Sequence, residues 1–374
     1  MKTKALVTGA ALLALCATMF SPLCVQAKEY ILTGMKPNRL VLIDPAKRAI
    51  ARIYTIPGGG SPAGIVTSPD GKTAYVTTNH MGSLVGIDLD SGKEVFHADF
   101  SDGDFADVSD GALRVRSFYG LEISPDGKEL FVSESPVRLL RDEYKVEDTR
   151  IAVYRTDGGM AAEPVRLLPL PRRTTNIMMS TDGTKLYANS WDLYTLDPKD
   201  GKVLKVDKIL NWQRKNFAPP GLFNVWNQFE QAHVFVTPYY TARTDTGSGK
   251  PPVPRTGLLT LDLKTGDFHM NEFEDSSAIM FSSVLSPVHH NEVYSVFKTL
   301  TKNDLEKNKV IKRVALPHPY YCVNISGDGR EVYAAGAGND IGVYSADTLR
   351  RIGEIKMPGG ADLAGAWIRM VERP

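Results

Sequence analysis

The sequence predicts an all-β protein, a seven-bladed β-propeller of four-stranded blades that is closed by strands from the N- and C-terminal ends. The first evidence is a nine-residue unit, SPDGKTAYV at 68–76, which returns in similar form at 124–132, 180–188 and 326–334. In each copy a turn-forming Asp-Gly pair leads into alternating apolar and polar residues, the pattern of a β-strand. A hairpin unit that recurs after tens of residues is typical of propellers and solenoids.

A second repeat sets the number of blades. It consists of an apolar strand, a polar turn that often contains Asp, and another strand. The first type of turn has five readable copies and a divergent one near 227–236, so six units hold four strands each, named A to D. The N-terminus supplies only strands B, C and D of a seventh unit, and segment 363–371 is predicted to be its missing strand A. The second repeat occurs at 40–53, 84–96, 150–159, 193–204, 258–268, 303–314 and 341–352.

Residues 1–27 are predicted to be a cleavable secretory signal peptide, which would place the protein in the periplasm. Two lysines precede an apolar run over 5–20, and small residues at 25–27 resemble a cleavage site. The run is shorter than the ~20 residues that a membrane span needs. We therefore expect no membrane anchor, and a single propeller domain over 28–374.

The composition disfavours nucleic-acid binding, internal disulfides and a metal site. Basic and acidic residues are nearly balanced, and there are no basic runs. Cys322 is the only cysteine beyond the signal peptide, and the seven histidines are scattered. The chain has no C-x-x-C-H haem motif, P-loop, G-x-S-x-G or H-E-x-x-H. We therefore assign no catalytic, cofactor-binding or metal-ligating residue to this chain.

The aspartates that recur in the second repeat are predicted to be structural. Asp44, Asp88, Asp197 and Asp262 each stand where a carboxylate can accept hydrogen bonds from the amides of its own turn. This interpretation is preferred over a catalytic or metal-binding role.

Long insertions are predicted on one face of the ring. When the strands of a blade run up and down, the A–B and C–D turns share one face, and the B–C and D–A connections share the other. Segments 97–117 and 207–221 are D–A connections, and segments 134–148 and 237–255 are B–C connections, so all four belong to the second face. Long ordered loops are often functional.

Aromatic residues near this second face are the candidates for contacting a partner or lining a cavity, because such residues are enriched in protein interfaces. The alternative is that they only pack their own loops. Tyr239, Tyr240 and Tyr320 are the preferred contact residues, since the first two are predicted on a B–C loop and the third at a D–A crossing. The full set is Tyr119, Trp212, Phe217, Trp226, Tyr239, Tyr240, His318 and Tyr320.

Several longer segments resemble one known family, the beta subunit of quinohemoprotein amine dehydrogenase. The resemblance runs over the whole mature chain and is strongest from Asn224 to Ser326. The segments that carry it are KVEDTRIAVYRTD (145–157), NVWNQ (224–228), TPYYTAR (237–243), RTGLLTLDLKTG (255–266) and LEKNKVIKRVALPHPYYCVNIS (305–326).

The resemblance implies a periplasmic heterotrimer that oxidatively deaminates primary amines to aldehyde and ammonia. In that family a gamma subunit carries a cysteine tryptophylquinone, and an alpha subunit carries two c-type haems. The propeller holds the quinone subunit, and the active-site cavity lies at their contact. The chain itself would then carry no cofactor and would be inactive alone.

Two other classes of function remain open. A stand-alone lactonase-like hydrolase would need an acidic or metal-binding cluster around the channel, and a non-catalytic scaffold or binding propeller would need neither. The heavy chain of methylamine dehydrogenase is a related possibility. The residues that begin the A strands offer little for hydrolysis: Tyr119, Asn176, Asn224, Phe281 and Tyr321.

Overall fold

The computed structural model describes residues 27–101, 109–222, 225–226 and 228–373. These residues form seven antiparallel sheets, each with at least four strands, arranged as the blades of a seven-bladed β-propeller. The predicted fold class is thus confirmed. The predicted signal peptide lies almost wholly outside the described residues and stays a prediction.

The first three blades are built from the N-terminal part of the chain. Blade 1 has strands β1 (Lys28–Met35), β2 (Arg39–Asp44) and β3 (Ala49–Thr55). Blade 2 has β4 (Ile65–Thr67), β5 (Thr73–Thr78), β6 (Ser83–Asp88) and β7 (Glu94–Asp99). Blade 3 has β8 (Leu113–Arg116), β9 (Leu121–Ile123), β10 (Glu129–Leu139), β11 (Tyr144–Val146), β12 (Arg150–Arg155) and β13 (Arg166–Pro169), with a 3-10 turn at Gly159–Ala161.

The remaining blades follow in chain order around the ring. Blade 4 has β14 (Asn176–Met179), β15 (Leu186–Asn189), β16 (Leu193–Leu196) and β17 (Val203–Asp207), and blade 5 has β18 (Gly221–Leu222), β19 (Val234–Arg243), β20 (Val253–Asp262) and β21 (Phe268–Asp275). Blade 6 has β22 (Met280–Leu285), β23 (Glu292–Phe297), β24 (Thr299–Asp304) and β25 (Lys309–Ala315). Blade 7 has β26 (Cys322–Ile325), β27 (Glu331–Ala335), β28 (Asp340–Ser345) and β29 (Arg351–Lys356), and a 3-10 turn at Pro358–Gly360 precedes β30 (Ile368–Arg373).

The C-terminal strand closes the ring, as predicted. β30 pairs with β1 in antiparallel register, from Thr33 opposite Ile368 to Lys28 opposite Arg373. The strand begins five residues later than the predicted start at 363, because Ala364 and Gly365 take positive φ angles and form a turn.

The repeated turns have the geometry that their sequence predicts. In the first copy, the Asp70 carboxylate accepts hydrogen bonds from the Ser68 hydroxyl and the Lys72 amide, at 2.6 and 3.1 Å. Gly71 has a φ of 66°, and a Cβ there would lie 2.2 Å from the carbonyl oxygen of Glu372. Glycine is therefore needed both for the backbone angle and for the close approach of the closing strand. The aspartates of the second repeat accept amide hydrogen bonds in the same way, with Asp88 bonded to the Ser91 amide at 2.6 Å.

Apolar side chains fill the spaces between neighbouring blades. Seven clusters of buried hydrophobic residues are present among the described residues; six of them join two adjacent blades, and the seventh joins blades 1 and 7 and also includes Trp226 of blade 5. Between blades 4 and 5, for example, Met178 and Tyr187 pack with Phe235 and Leu259. Since every blade buries both of its faces, the ring is held mainly by hydrophobic contact.

Candidate partner-binding face

One face of the propeller is raised by two extended hairpins. We predicted long B–C loops at 134–148 and 237–255, but most of these residues form strands. β10 has eleven residues and runs beyond its partner β12, and β19 and β20 have ten residues each. The loop prediction is wrong here because alternating aromatic, β-branched and polar residues can continue the antiparallel ladder as well as form an exposed loop.

The predicted D–A loops also contribute strands to these hairpins. β8 lies within the predicted loop 97–117 and pairs with the extension of β10. β18 begins at Gly221, the last residue of segment 207–221, and pairs with β19, and the Ala218 amide donates to the carbonyl oxygen of Ala242 at 2.9 Å. The insertions therefore widen blades 3 and 5 on one face instead of forming free loops.

An aromatic cluster lies at the mouth of the central channel on this raised face, where the innermost strands of the blades begin. The rings of Tyr119 and Trp367 stack with centroids 6.4 Å apart, and those of Trp226 and Phe281 stack at 6.2 Å. Phe281 also lies 5.5 Å from Tyr321. The aromatic side chains come from blades 1, 3, 5, 6 and 7. The cluster therefore connects five of the seven blades near the axis of the propeller.

Two hydrogen bonds fix the tryptophans of this cluster. The indole N–H of Trp226 donates to the carbonyl oxygen of Gly365 at 2.9 Å, and that of Trp367 donates to the carbonyl oxygen of Val225 at 2.9 Å. Each indole thus finds the polar partner that a buried tryptophan requires. The exchange links blade 5 to the segment that closes the ring.

A polar network lies on the inner strands below the aromatic cluster. Arg369 forms an ion pair with Glu230 at 3.0 Å and donates to the carbonyl oxygen of Ile65 at 2.8 Å. Glu230 also accepts a hydrogen bond from Asn324 at 2.7 Å. The carboxyl of Glu122 accepts amide hydrogen bonds from Ile123 and Met179, at 2.9 and 3.3 Å, and burial raises its pKa to about 7.

Two of the three preferred contact residues are enclosed within the protein. Tyr239 is 0% exposed, and its hydroxyl donates to Glu272 at 2.7 Å. Tyr320 is also 0% exposed, and its hydroxyl donates to Asp340 at 2.8 Å. The prediction that these two side chains are surface anchors is therefore wrong. Aromatic type and predicted loop position do not distinguish a surface anchor from a tyrosine that is buried and bonds a neighbouring carboxylate.

Tyr240 lies in strand β19 and not on a loop. Its hydroxyl donates to the carbonyl oxygen of Met280 at 2.8 Å, so it links blade 5 to blade 6. A substitution of Tyr240 would therefore disturb packing as well as any partner contact, and it cannot serve as a clean test of docking.

The other candidates divide between the channel mouth and the insertions. Tyr119 and Trp226 belong to the aromatic cluster, and His318 contacts Asp340 at 2.7 Å. Trp212 packs edge-on against Phe217 and Tyr239, at 6.1 Å from each. The geometry of Trp212 and Phe217 agrees with the alternative interpretation, in which these aromatic residues pack their own segment. Contact of any of these residues with a partner stays a prediction.

Two further features of the raised face were not predicted. Trp191, in the B–C turn of blade 4, is 43% exposed and carries the guanidinium of Arg173 at 3.7 Å from its ring centroid. Between blades 2 and 3, a cavity of about 390 Å³ is lined in part by His97, Glu134 and Arg150. Sequence offered little signal for either feature, since one depends on a turn conformation and the other on contacts between blades.

Within the described part of the chain, no group of three or more His, Cys, Asp or Glu side chains is placed to hold a metal ion. The thiol of Cys322 is fully buried and accepts a hydrogen bond from the Gln228 amide at 3.0 Å, and burial raises its pKa well above the usual range. None of the described helical segments is long and apolar enough to span a membrane.

Comparisons with known proteins give the fold. No family model and no curated protein matches the chain. Hydrazine synthase from Kuenenia stuttgartiensis is 16% identical, with a TM-score of 0.55 over 79% of this chain and 86% of that chain. A functionally unknown protein from Desulfotomaculum acetoxidans is 11% identical, with a TM-score of 0.56 over 93% and 100%. The dihydro-heme d1 dehydrogenase NirN is 14% identical, with a TM-score of 0.53 over 91% and 74%. At such identities the likeness shows the propeller fold alone.

Proposed function

We propose that the chain is the propeller subunit of a periplasmic quinohemoprotein amine dehydrogenase. The observation that carries the proposal is that four of the family-like segments each place residues on the raised face. Segments 237–243 and 255–266 form the two long strands of the raised blade-5 hairpin. Segments 224–228 and 305–326 bring Trp226 and Tyr321 to the aromatic cluster at the channel mouth.

The proposed role of this chain is to hold its partners. The complex would deaminate primary amines to aldehyde and ammonia, with a cysteine tryptophylquinone on the gamma subunit and two c-type haems on the alpha subunit supplying the redox chemistry. This chain would offer a rigid platform, because its hairpins are hydrogen-bonded strands and packed aromatic rings lie at its channel mouth. A rigid surface limits the entropy lost when a partner docks.

The test is to compare the chain alone with the chain produced together with its partners. The isolated chain should show neither quinone nor haem absorbance and should not reduce an electron-accepting dye when a primary amine is added. Amine-dependent dye reduction should appear in the complex. If the purified chain oxidises an amine or hydrolyses a lactone by itself, the scaffolding role is wrong.

A further inference from the structure

We infer that the edge of blade 4 on the raised face, centred on Trp191 and Arg173, is the docking surface for an acidic protein partner. The inference rests on the proposed scaffolding function, and it adds where the partner sits and what chemistry it presents. We call this surface the blade-4 rim, and define it as segments 171–176, 190–192 and 207–221.

The centre of the blade-4 rim is an exposed stack of a guanidinium on an indole. Trp191 is 43% exposed, and Arg173 lies over its ring with the guanidinium carbon 3.7 Å from the ring centroid. The backbone of Arg173 has a φ of 63°, which is uncommon for a residue other than glycine. Tryptophan and arginine are the residue types most enriched among those that dominate binding energy in protein interfaces.

The short strands of blade 4 place the centre of the blade-4 rim, at Trp191, in a recess. Its strands β15 and β16 have four residues each, whereas β10 of blade 3 has eleven and β19 of blade 5 has ten. At ~3.3 Å per residue, the neighbouring strands extend on the order of 20 Å further. A partner seated on blade 4 would therefore be flanked by both raised hairpins.

The charge of the blade-4 rim is positive. Its segments contain five basic and two acidic residues. Three of the basic side chains form ion pairs, including Lys208 with Asp192 at 3.2 Å and Arg214 with Glu272 at 2.5 Å. Arg173 and Lys215 form no ion pair with any residue that the structure describes. Exposed carboxylates on a partner would complement these two cations and steer its approach.

Exposed apolar side chains on the raised face extend the surface around the blade-4 rim. The large ones among the described residues all belong to blades 3 to 6 or the connections leading into them, so the predicted footprint covers that side of the raised face. They are Phe118, Tyr144, Val146, Trp191 and Ile279, which are 49%, 76%, 56%, 43% and 58% exposed.

The experiment uses the full chain, tagged and produced in its native host. A haem stain measures how much haem-bearing chain is retained on the tagged protein as the salt concentration rises. Trp191→Ala should weaken retention by about ten- to a hundred-fold, the loss expected for an interface anchor. Arg173→Glu should weaken it most at low salt, because it reverses a charge that salt would otherwise screen.

Matched controls lie on the opposite face. Arg330→Glu reverses a charge on a side chain that is 84% exposed, and Val288→Ala truncates an apolar residue that is 48% exposed. Both controls should retain partners like the wild type. The melting temperature of each variant shows whether a loss reflects unfolding.

The outcomes separate the two proposals. If the wild type retains a haem-bearing chain and both rim variants do so equally while folded, the docking inference fails and the proposed function stands. If the wild type retains no partner, both fail. If the purified chain forms a dimer that the rim variants dissociate, a second copy occupies the rim, and the acidic-partner inference is wrong.

Discussion

At the scale of single residues, Glu122 should make the stability of the propeller depend on pH. Burial raises the pKa of its carboxyl from 4.5 to about 7, although nearby Arg369 and two backbone amides favour the ionised form. The folded protein therefore holds this proton more tightly than the unfolded chain does. The stability that Glu122 contributes is fully present below pH ~4.5 and is lost as the pH rises from there through 7, by roughly 3 kcal/mol for a shift of this size.

Glu122→Gln should remove this part of the pH dependence. The amide is uncharged like the protonated carboxyl, although its NH2 cannot accept the second backbone hydrogen bond, a loss that is the same at both pH values. Relative to the wild type, the variant should therefore be more stable at pH 8 than at pH 5. Urea unfolding at both pH values measures the difference. Some dependence should remain, because burial also raises the pKa of Glu29 to about 7. If the variant and wild type differ equally at both pH values, Glu122 is ionised throughout this range.

Sequence reasoning at this scale succeeded where the chemistry was local. Asp70 and Asp88 were expected to cap their own turns, and both do so within three residues of themselves. Glu122 was not singled out, because its pKa depends on the burial that inner strands from several blades create. The exposure of Trp191 could not be predicted either, since the sequence does not show whether an aromatic side chain in a turn faces solvent or the interior.

At the scale of elements, the blade-5 hairpin depends on the pairing of a glycine with an aromatic ring. Gly257 lies opposite Tyr239 in the β19–β20 ladder, and a Cβ at Gly257 would be 2.3 Å from the Tyr239 ring. Gly257→Ala should therefore displace a fully buried ring and destabilise the protein by about 1–3 kcal/mol. The melting temperature should fall accordingly.

A second glycine of the same sheet provides the control for this prediction. Gly221 pairs with Tyr240, but a Cβ there would meet no atom within 4 Å. Gly221→Ala should leave the melting temperature nearly unchanged. Equal effects of the two substitutions would mean that the Tyr239 ring does not rest on Gly257.

The sequence predicted most of the elements of the blades but not their lengths. Turn chemistry marks where a hairpin begins, so the A–B and C–D turns were placed correctly. Residues 237–243 are of types that occur in strands as well as in loops. They form a strand because a partner strand is present at 253–259. That partner is far enough along the chain for the choice to depend on tertiary structure.

At the scale of the whole molecule, stability depends on closure by the last strand. β30 pairs with β1 over six residue pairs, and Trp367, which is fully buried, immediately precedes β30. Removing 368–374 would expose the edge of β1 and take Arg369 away from Glu230, which would leave a carboxylate without its cation. We expect this truncated chain to be insoluble or to lose its cooperative unfolding transition.

A circular permutant distinguishes the effect of losing β30 on stability from the effect of changing the chain ends. Lys28 and Arg373 lie opposite each other in the ladder, so a short glycine–serine linker can join them. New termini placed between Gly247 and Ser248, at the exposed tip of the blade-5 hairpin, would break no described strand. The permutant keeps every strand pair of the ring and should unfold cooperatively, with a melting temperature close to that of the wild type, while the truncated chain does not. If the truncated chain melts like the wild type, β30 is dispensable, and the ring is held by contacts between blades alone.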